Sequence, residues 1–140
     1  MCATTFMCFG QWTYKHIKSD FDGTFKKAYT QINNGGFLLM EKGDKFPFFA
    51  LSGSYFCDDT ASIDFVLVCN GVNKKYDIVG TKSKDSKYYY FDEEVWTEEF
   101  INDFKSASKC LIRVNQEYCS SDYYQFNMSN STASFNFINK

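Results

Sequence analysis

Ile63-Asp64-Phe65-Val66-Leu67-Val68-Cys69-Asn70-Gly71-Val72-Asn73-Lys74-Lys75-Tyr76-Asp77-Ile78-Val79 reads as two strands closed by a two-residue turn. Asn-Gly between two strand-like runs is the strongest short-range hairpin marker, because both turn positions need positive φ. Phe37 to Met40 and Phe46 to Leu51 repeat the plan around Glu41-Lys42-Gly43-Asp44-Lys45, a longer loop containing glycine. Gln11 to His16 alternates, with Trp12, Tyr14 and His16 on one face, the period of a half-buried strand. His16, the single histidine, is therefore expected on a packed face near a strand end, as a structural rather than a catalytic group.

Tyr88 to Phe91 reads as a short aromatic strand, and Cys110 to Val114, Tyr123 to Met128 and Ser134 to Ile138 as three more. One segment changes period. Thr97 can cap a helix, Glu98 and Glu99 suit the positive end of its dipole, and Trp96 to Ile101 has the spacing of a hydrophobic staple. Phe100, Ile101, Phe104, Ala107 and Ser108 mark one face of that helix. Phe25, Ala28, Tyr29 and Ile32 fit a helical template with Thr24 as a cap, but Thr30 and the turn signal Asn33-Asn34-Gly35-Gly36 also fit a strand, so that segment stays open. The expected fold is one mainly β domain over residues 1–140, an antiparallel β-sandwich-like arrangement of two layers with one packed helix in the C-terminal half.

The chain has 140 residues, enough for one domain with a real hydrophobic core. Aromatic residues make up 20%, which favours pleated, half-buried surfaces. A net charge of −2 and a pI near 5.3 weigh against nucleic acid, whose binders carry a basic stripe, and Arg113 is the single arginine. The excess of lysine over arginine, with much Phe, Tyr, Ile and Asn, is what an AT-rich genome encodes, as in many phages and some bacteria. No run approaches the roughly 18 apolar residues of a membrane span. Met1 to Cys8 lacks a basic region and a long apolar one, so no secretory signal is expected. Synthesis in a cytoplasm follows as the expectation, or in a host cytoplasm and virion if the chain is phage-encoded.

Six cysteines, at positions 2, 8, 57, 69, 110 and 119, show no C-x-x-C spacing, so no metal finger is expected. Cys69 and Cys110 lie in apolar runs and read as buried thiols. Cys57 and Cys119 each end a strand pattern and can face each other. Without a secretory context free thiols are the weightier expectation, and their pairing stays open.

Asp20-Phe21-Asp22-Gly23-Thr24 spells D-x-D-G-T, the opening of haloacid-dehalogenase-type phosphatases, where two carboxylates work on phosphorus with Mg²⁺. That motif follows a buried strand, whereas Lys15-His16-Ile17-Lys18-Ser19 precedes it here, so a polar turn is the preferred reading. Glu93, Glu94, Glu98 and Glu99 are read as dipole partners rather than metal ligands.

From Phe100 onward a helix, Ser106-Ala107-Ser108-Lys109, the strand Leu111-Ile112-Arg113-Val114, and Phe126-Asn127-Met128-Ser129-Asn130-Ser131-Thr132-Ala133 follow in order. This resembles the tail of small bacterial and phage proteins of the invasion-associated locus B type, which close on a phrase such as F-D-L-S-G-F-x-x-A. Asn130 stands where that phrase has glycine. Trp12 followed by Ser19-Asp20-Phe21-Asp22-Gly23 is similar to their N-terminal strand and turn. The resemblance implies a β-sandwich-like fold with one helix, a strand over residues 25–32, and no catalytic residues.

No nucleophile-base pair, phosphate loop or ligand set is visible, so no catalytic, cofactor-binding or metal residue is assigned, and no enzyme activity or cofactor is expected. Tyr88, Tyr89, Tyr90, Tyr123 and Tyr124 are the candidate interaction residues, because some of them must point outward and exposed tyrosine is a favoured interface residue. The expected function is a non-enzymatic interaction or structural role, as a phage virion accessory or decoration component or a factor binding a host protein. Protein partners or self-assembly go with it, without nucleic acid or membrane. A small-molecule or glycan-binding β-sandwich is the alternative, and a Mg-dependent phosphatase at Asp20 and Asp22 the remote one.

Overall fold

A computed structural model describes residues 12–19, 23–31, 36–43, 45–53 and 55–139. Its strands are β1 (Trp12–Ser19), β2 (Gly23–Gln31), β3 (Phe37–Glu41), β4 (Phe48–Ser52), β5 (Thr60–Cys69), β6 (Val72–Lys82), β7 (Tyr88–Phe91), β8 (Lys109–Asn115) and β9 (Asp122–Asn127). The helices are α1 (Glu98–Ser106) and α2 (Ser131–Asn139), with a 3₁₀ turn at Glu93–Val95. The open segment 25–32 is strand through Gln31, as the resemblance implied; Ile32 and Asn33-Asn34-Gly35 lie outside the described residues.

All nine strands join one antiparallel sheet in the order β1-β2-β3-β4-β7-β6-β5-β8-β9. The expected two layers are thus one continuous sheet, folded over so far that β2 and β9, near its opposite ends, touch. The β5-β6 hairpin turns as its sequence demands: Asn70 and Gly71 both take positive φ, 51° and 78°.

The inner face carries the core. Phe49, Phe65, Phe91, Trp96, Phe100 and Phe104 form one aromatic cluster that joins β4, β5, β7 and α1. The Trp96 indole N–H donates to the Pro47 carbonyl at 2.9 Å, so the ring is buried without an orphaned donor. Thr97 caps α1, its hydroxyl accepting from the Phe100 N–H at 3.1 Å.

Ser134 to Ile138, expected as a strand, is helix α2. Phe135 and Phe137 alternate, but the residues that bury are Ser131, Ser134, Phe135 and Ile138, the 3.6-residue period. Ser131 and Thr132 hydroxyls donate to the Phe104 and Lys105 carbonyls at 2.7 and 2.8 Å, so α2 begins by satisfying the end of α1. Two helices therefore line the inner face where one was expected. His16 departs from expectation too: it is exposed, with its ring 5.4 Å from that of Phe137.

Candidate functional site

Strand parity sorts the candidate tyrosines. In β7, Tyr88 and Tyr90 point outward while Tyr89 points in; in β9, Tyr123 points out and Tyr124 in. Of the five candidates Tyr89 and Tyr124 are thus the inward members and belong to the core, which leaves Tyr88, Tyr90 and Tyr123 as interaction candidates. The Tyr89 hydroxyl donates to the Asp58 carbonyl at 2.8 Å, and its pKa is pushed up to about 12, by burial first and then by the Asp58 charge. Tyr124 is raised as well, chiefly by burial.

The outward tyrosines of β7 join a larger array that spans four strands. Tyr88 and Tyr90 stack with centroids 5.9 Å apart and planes 16° apart. Across β4 the outward residues are small, Ala50 and Ser52, and Phe37 of β3 leans over Ser52 to meet Tyr88 edge-on at 5.8 Å. Tyr29 of β2 continues the line at 5.8 Å from Phe37, and the Lys15 ammonium sits 5.5 Å from its centroid. Tyr90 is 45% exposed and Phe48, nearby on β4, 65%. Partial burial raises the pKa of both Tyr88 and Tyr90. Tyr29 and Phe37 were not among the candidate interaction residues, because Phe37 opens a continuous apolar run and Tyr29 lies in a segment of mixed period, so neither strand shows which way they face.

Tyr123 belongs to a different part of the outer face, a cavity of about 610 Å³ along β6, β5, β8 and β9. Two cross-strand rows build it. The first runs Asp77, Asp64, Arg113, Tyr123, and the second Lys75, Val66, Leu111, Gln125. Asp64 accepts from Arg113 Nε at 2.8 Å, from Arg113 Nη2, and from Asn115 Nδ2 at 3.2 Å. The Arg113 hydrogen bond, with that of Asn115, holds the Asp64 carboxyl below its ordinary range.

A third cluster ties the loops before β5 and after β8. Cys57 and Cys119 form a disulfide with Cα atoms 6.0 Å apart, which resolves the open pairing against the expectation of thiols. Around it the Asp58 carboxylate accepts from the Glu117 and Tyr118 N–H groups at 2.5 and 3.1 Å, and Gln116 Oε1 accepts from the Cys57 N–H at 2.7 Å. Cys69 and Cys110 are free and buried, as expected.

Asp20 and Asp22, the residues of the phosphatase alternative, lie outside the described residues, as do Cys2 and Cys8. The acidic residues Glu93, Glu94, Glu98 and Glu99 lie at the N-terminal ends of the 3₁₀ turn and α1, where carboxylates suit the dipole. No helix among the described residues is long and apolar enough to cross a membrane. Compared with family models, curated proteins and solved structures, the chain matches none.

Proposed function

We propose that this protein works by binding rather than by catalysis, engaging a protein partner or a second copy of itself through the aromatic array of β2, β3 and β7. The observation that carries this reading is the stacked pair Tyr88 and Tyr90, extended by Phe37 and Tyr29 into one outward aromatic surface. Aromatic side chains supply large contact area, and tyrosine keeps a hydroxyl to hydrogen-bond at the rim. These rings already pack on one another over a sheet floor, so little rotamer freedom remains to be lost on association. A phage virion, or the surface of a host protein, is the setting we propose, from the lysine-rich, arginine-poor composition.

The test is a double variant, Tyr88→Ala with Tyr90→Ala. Sedimentation velocity over a concentration series reads self-association, and a photo-reactive residue at position 48 captures a neighbour in native-source material. The reading expects one of the two signals in the parent and its loss in the double variant, with an unchanged melting temperature. Neither signal in the parent, or a signal the variant retains, would remove the reading.

A further inference from the structure

We infer that the outer-face cavity of β6, β5, β8 and β9 is a saccharide site for a neutral mono- or disaccharide unit stacked on Tyr123. This site is separate from the aromatic array and goes beyond the binding role proposed for it. Four observations converge.

The first is size and position. A cavity of about 610 Å³ lies within the range of small-ligand sites, roughly 300–1,000 Å³, and it is walled by side chains standing on paired strands rather than on loops. The second is the platform. Tyr123 is 68% exposed at the end of the Asp77, Asp64, Arg113 row, so one face of its ring is open for an apolar partner such as the C–H face of a pyranose.

The third is the polar complement. Asp77, Lys75, Gln125 and the Tyr123 hydroxyl give acceptors and donors around a small apolar floor of Val66 and Leu111, with the Asp64–Arg113 pair between them. Vicinal hydroxyls, each both donor and acceptor, fit such a mixed ring, and a hydrocarbon ligand would leave those groups desolvated and unpaired.

The fourth is charge, which separates a neutral sugar from ions. Asp64 and Asp77 are balanced by Arg113 and Lys75 within the same cavity. Arg113 gives two of its donors to Asp64, so the one guanidinium of the chain is engaged and not held open for a phosphate or carboxylate. Asp64 accepts all three of its bonds from Arg113 and Asn115 at Oδ2, so a cation would find only Asp64 Oδ1 and the Asp77 carboxylate opposite it, and no group of three or more possible metal ligands occurs among the described residues. Among the described residues Lys75 and Asp77 enter no ion pair; Asp77 stands opposite Asp64 across the β5-β6 pairing, and a ligand hydroxyl donating to Asp77 would separate the two like charges.

The experiment uses the full chain and saturation-transfer NMR, followed by calorimetric titration. The probes are maltose, cellobiose, lactose, mannobiose and N,N′-diacetylchitobiose, with inorganic phosphate and sialyllactose as anionic controls. The expected result is transfer to the ring protons of at least one neutral sugar, with Kd on the order of 1 mM. Tyr123→Ala should weaken it about two- to tenfold, the scale of one lost stacking contact. Tyr123→Phe should keep most of it, and Asp77→Asn should weaken it several-fold, while the melting temperature stays unchanged in all three. No neutral sugar bound, anions bound in their place, or sugar binding indifferent to Tyr123 and Asp77 would each overturn the assignment.

Discussion

Phe104 of α1 meets Phe49 of β4 edge to face, ring centroids 5.9 Å apart and planes at 86°, and both rings are almost fully buried. The same Phe104 ring approaches Trp12, Trp96 and Phe135, so it joins β1, both helices and the centre of the sheet. Phe104→Ala should therefore cost about 3–5 kcal/mol, the range for truncating a buried aromatic. Urea unfolding of the variant against the parent measures it. A loss below about 1 kcal/mol would mean that the ring sits in a site that collapses readily.

How much of this was legible follows from where each signal lies along the chain. Asn70-Gly71 and Thr97 are local devices, each fixed by a turn or cap that its own residues require, and both turned out as read. The end of the chain misled because Phe135 and Phe137 imitate a strand, while the burial of Ser131 and Ser134 under α1 and β1 is a tertiary fact. Tyr89 and Tyr124 show a subtler limit: which parity faces the core is set by register, and a shift of one residue exchanges the faces. The cavity on β6, β5, β8 and β9 was out of reach for the same reason. Asp64 and Arg113 are 49 residues apart and meet only through the pairing of β5 with β8.

The Cys57–Cys119 disulfide spans a sequence separation of 62. Closing a loop of that length restricts the unfolded chain by on the order of 4 kcal/mol in the chain-entropy picture. Cys57→Ser with Cys119→Ser should lower stability by about 2–4 kcal/mol. The Asp58 and Gln116 hydrogen bonds should still bring the two loops together in the folded variant. Parallel denaturation of parent, reduced parent and double variant checks this, the last two being expected to coincide. Equal stability of all three would show that the bridge is not formed in the protein as prepared.

Asp64 offers a test by pH. Its carboxyl is held below the usual range by the hydrogen bonds from Arg113 and Asn115, so the folded state keeps the charged form more readily than the unfolded state. The resulting stability is fully present above the unfolded value of about 3.9 and is lost as pH falls through the lower folded value. Acid denaturation below about pH 4 should thus be shallower in Arg113→Met, which has less of this term to lose. Carbon-detected NMR titration should find the Asp64 midpoint below the ordinary carboxylate value in the parent and higher in the variant. An unchanged midpoint would mean that the Arg113 hydrogen bonds are not populated in solution.

Trp12 and Thr30 face each other across β1 and β2, and both are buried with a polar atom, the indole Nε1 and the hydroxyl Oγ1, that finds no hydrogen-bond partner among the described residues. A buried hydroxyl left unpaired costs about 1–3 kcal/mol of desolvation that nothing returns, so removing it should help rather than harm. Valine matches the shape of threonine and keeps the β-branched fit to a strand. Thr30→Val should therefore raise stability by roughly 1 kcal/mol, whereas most core substitutions lower it. Thermal and urea unfolding of this one variant decide the matter. A loss of stability would show that the hydroxyl has a hydrogen-bond partner in the folded protein.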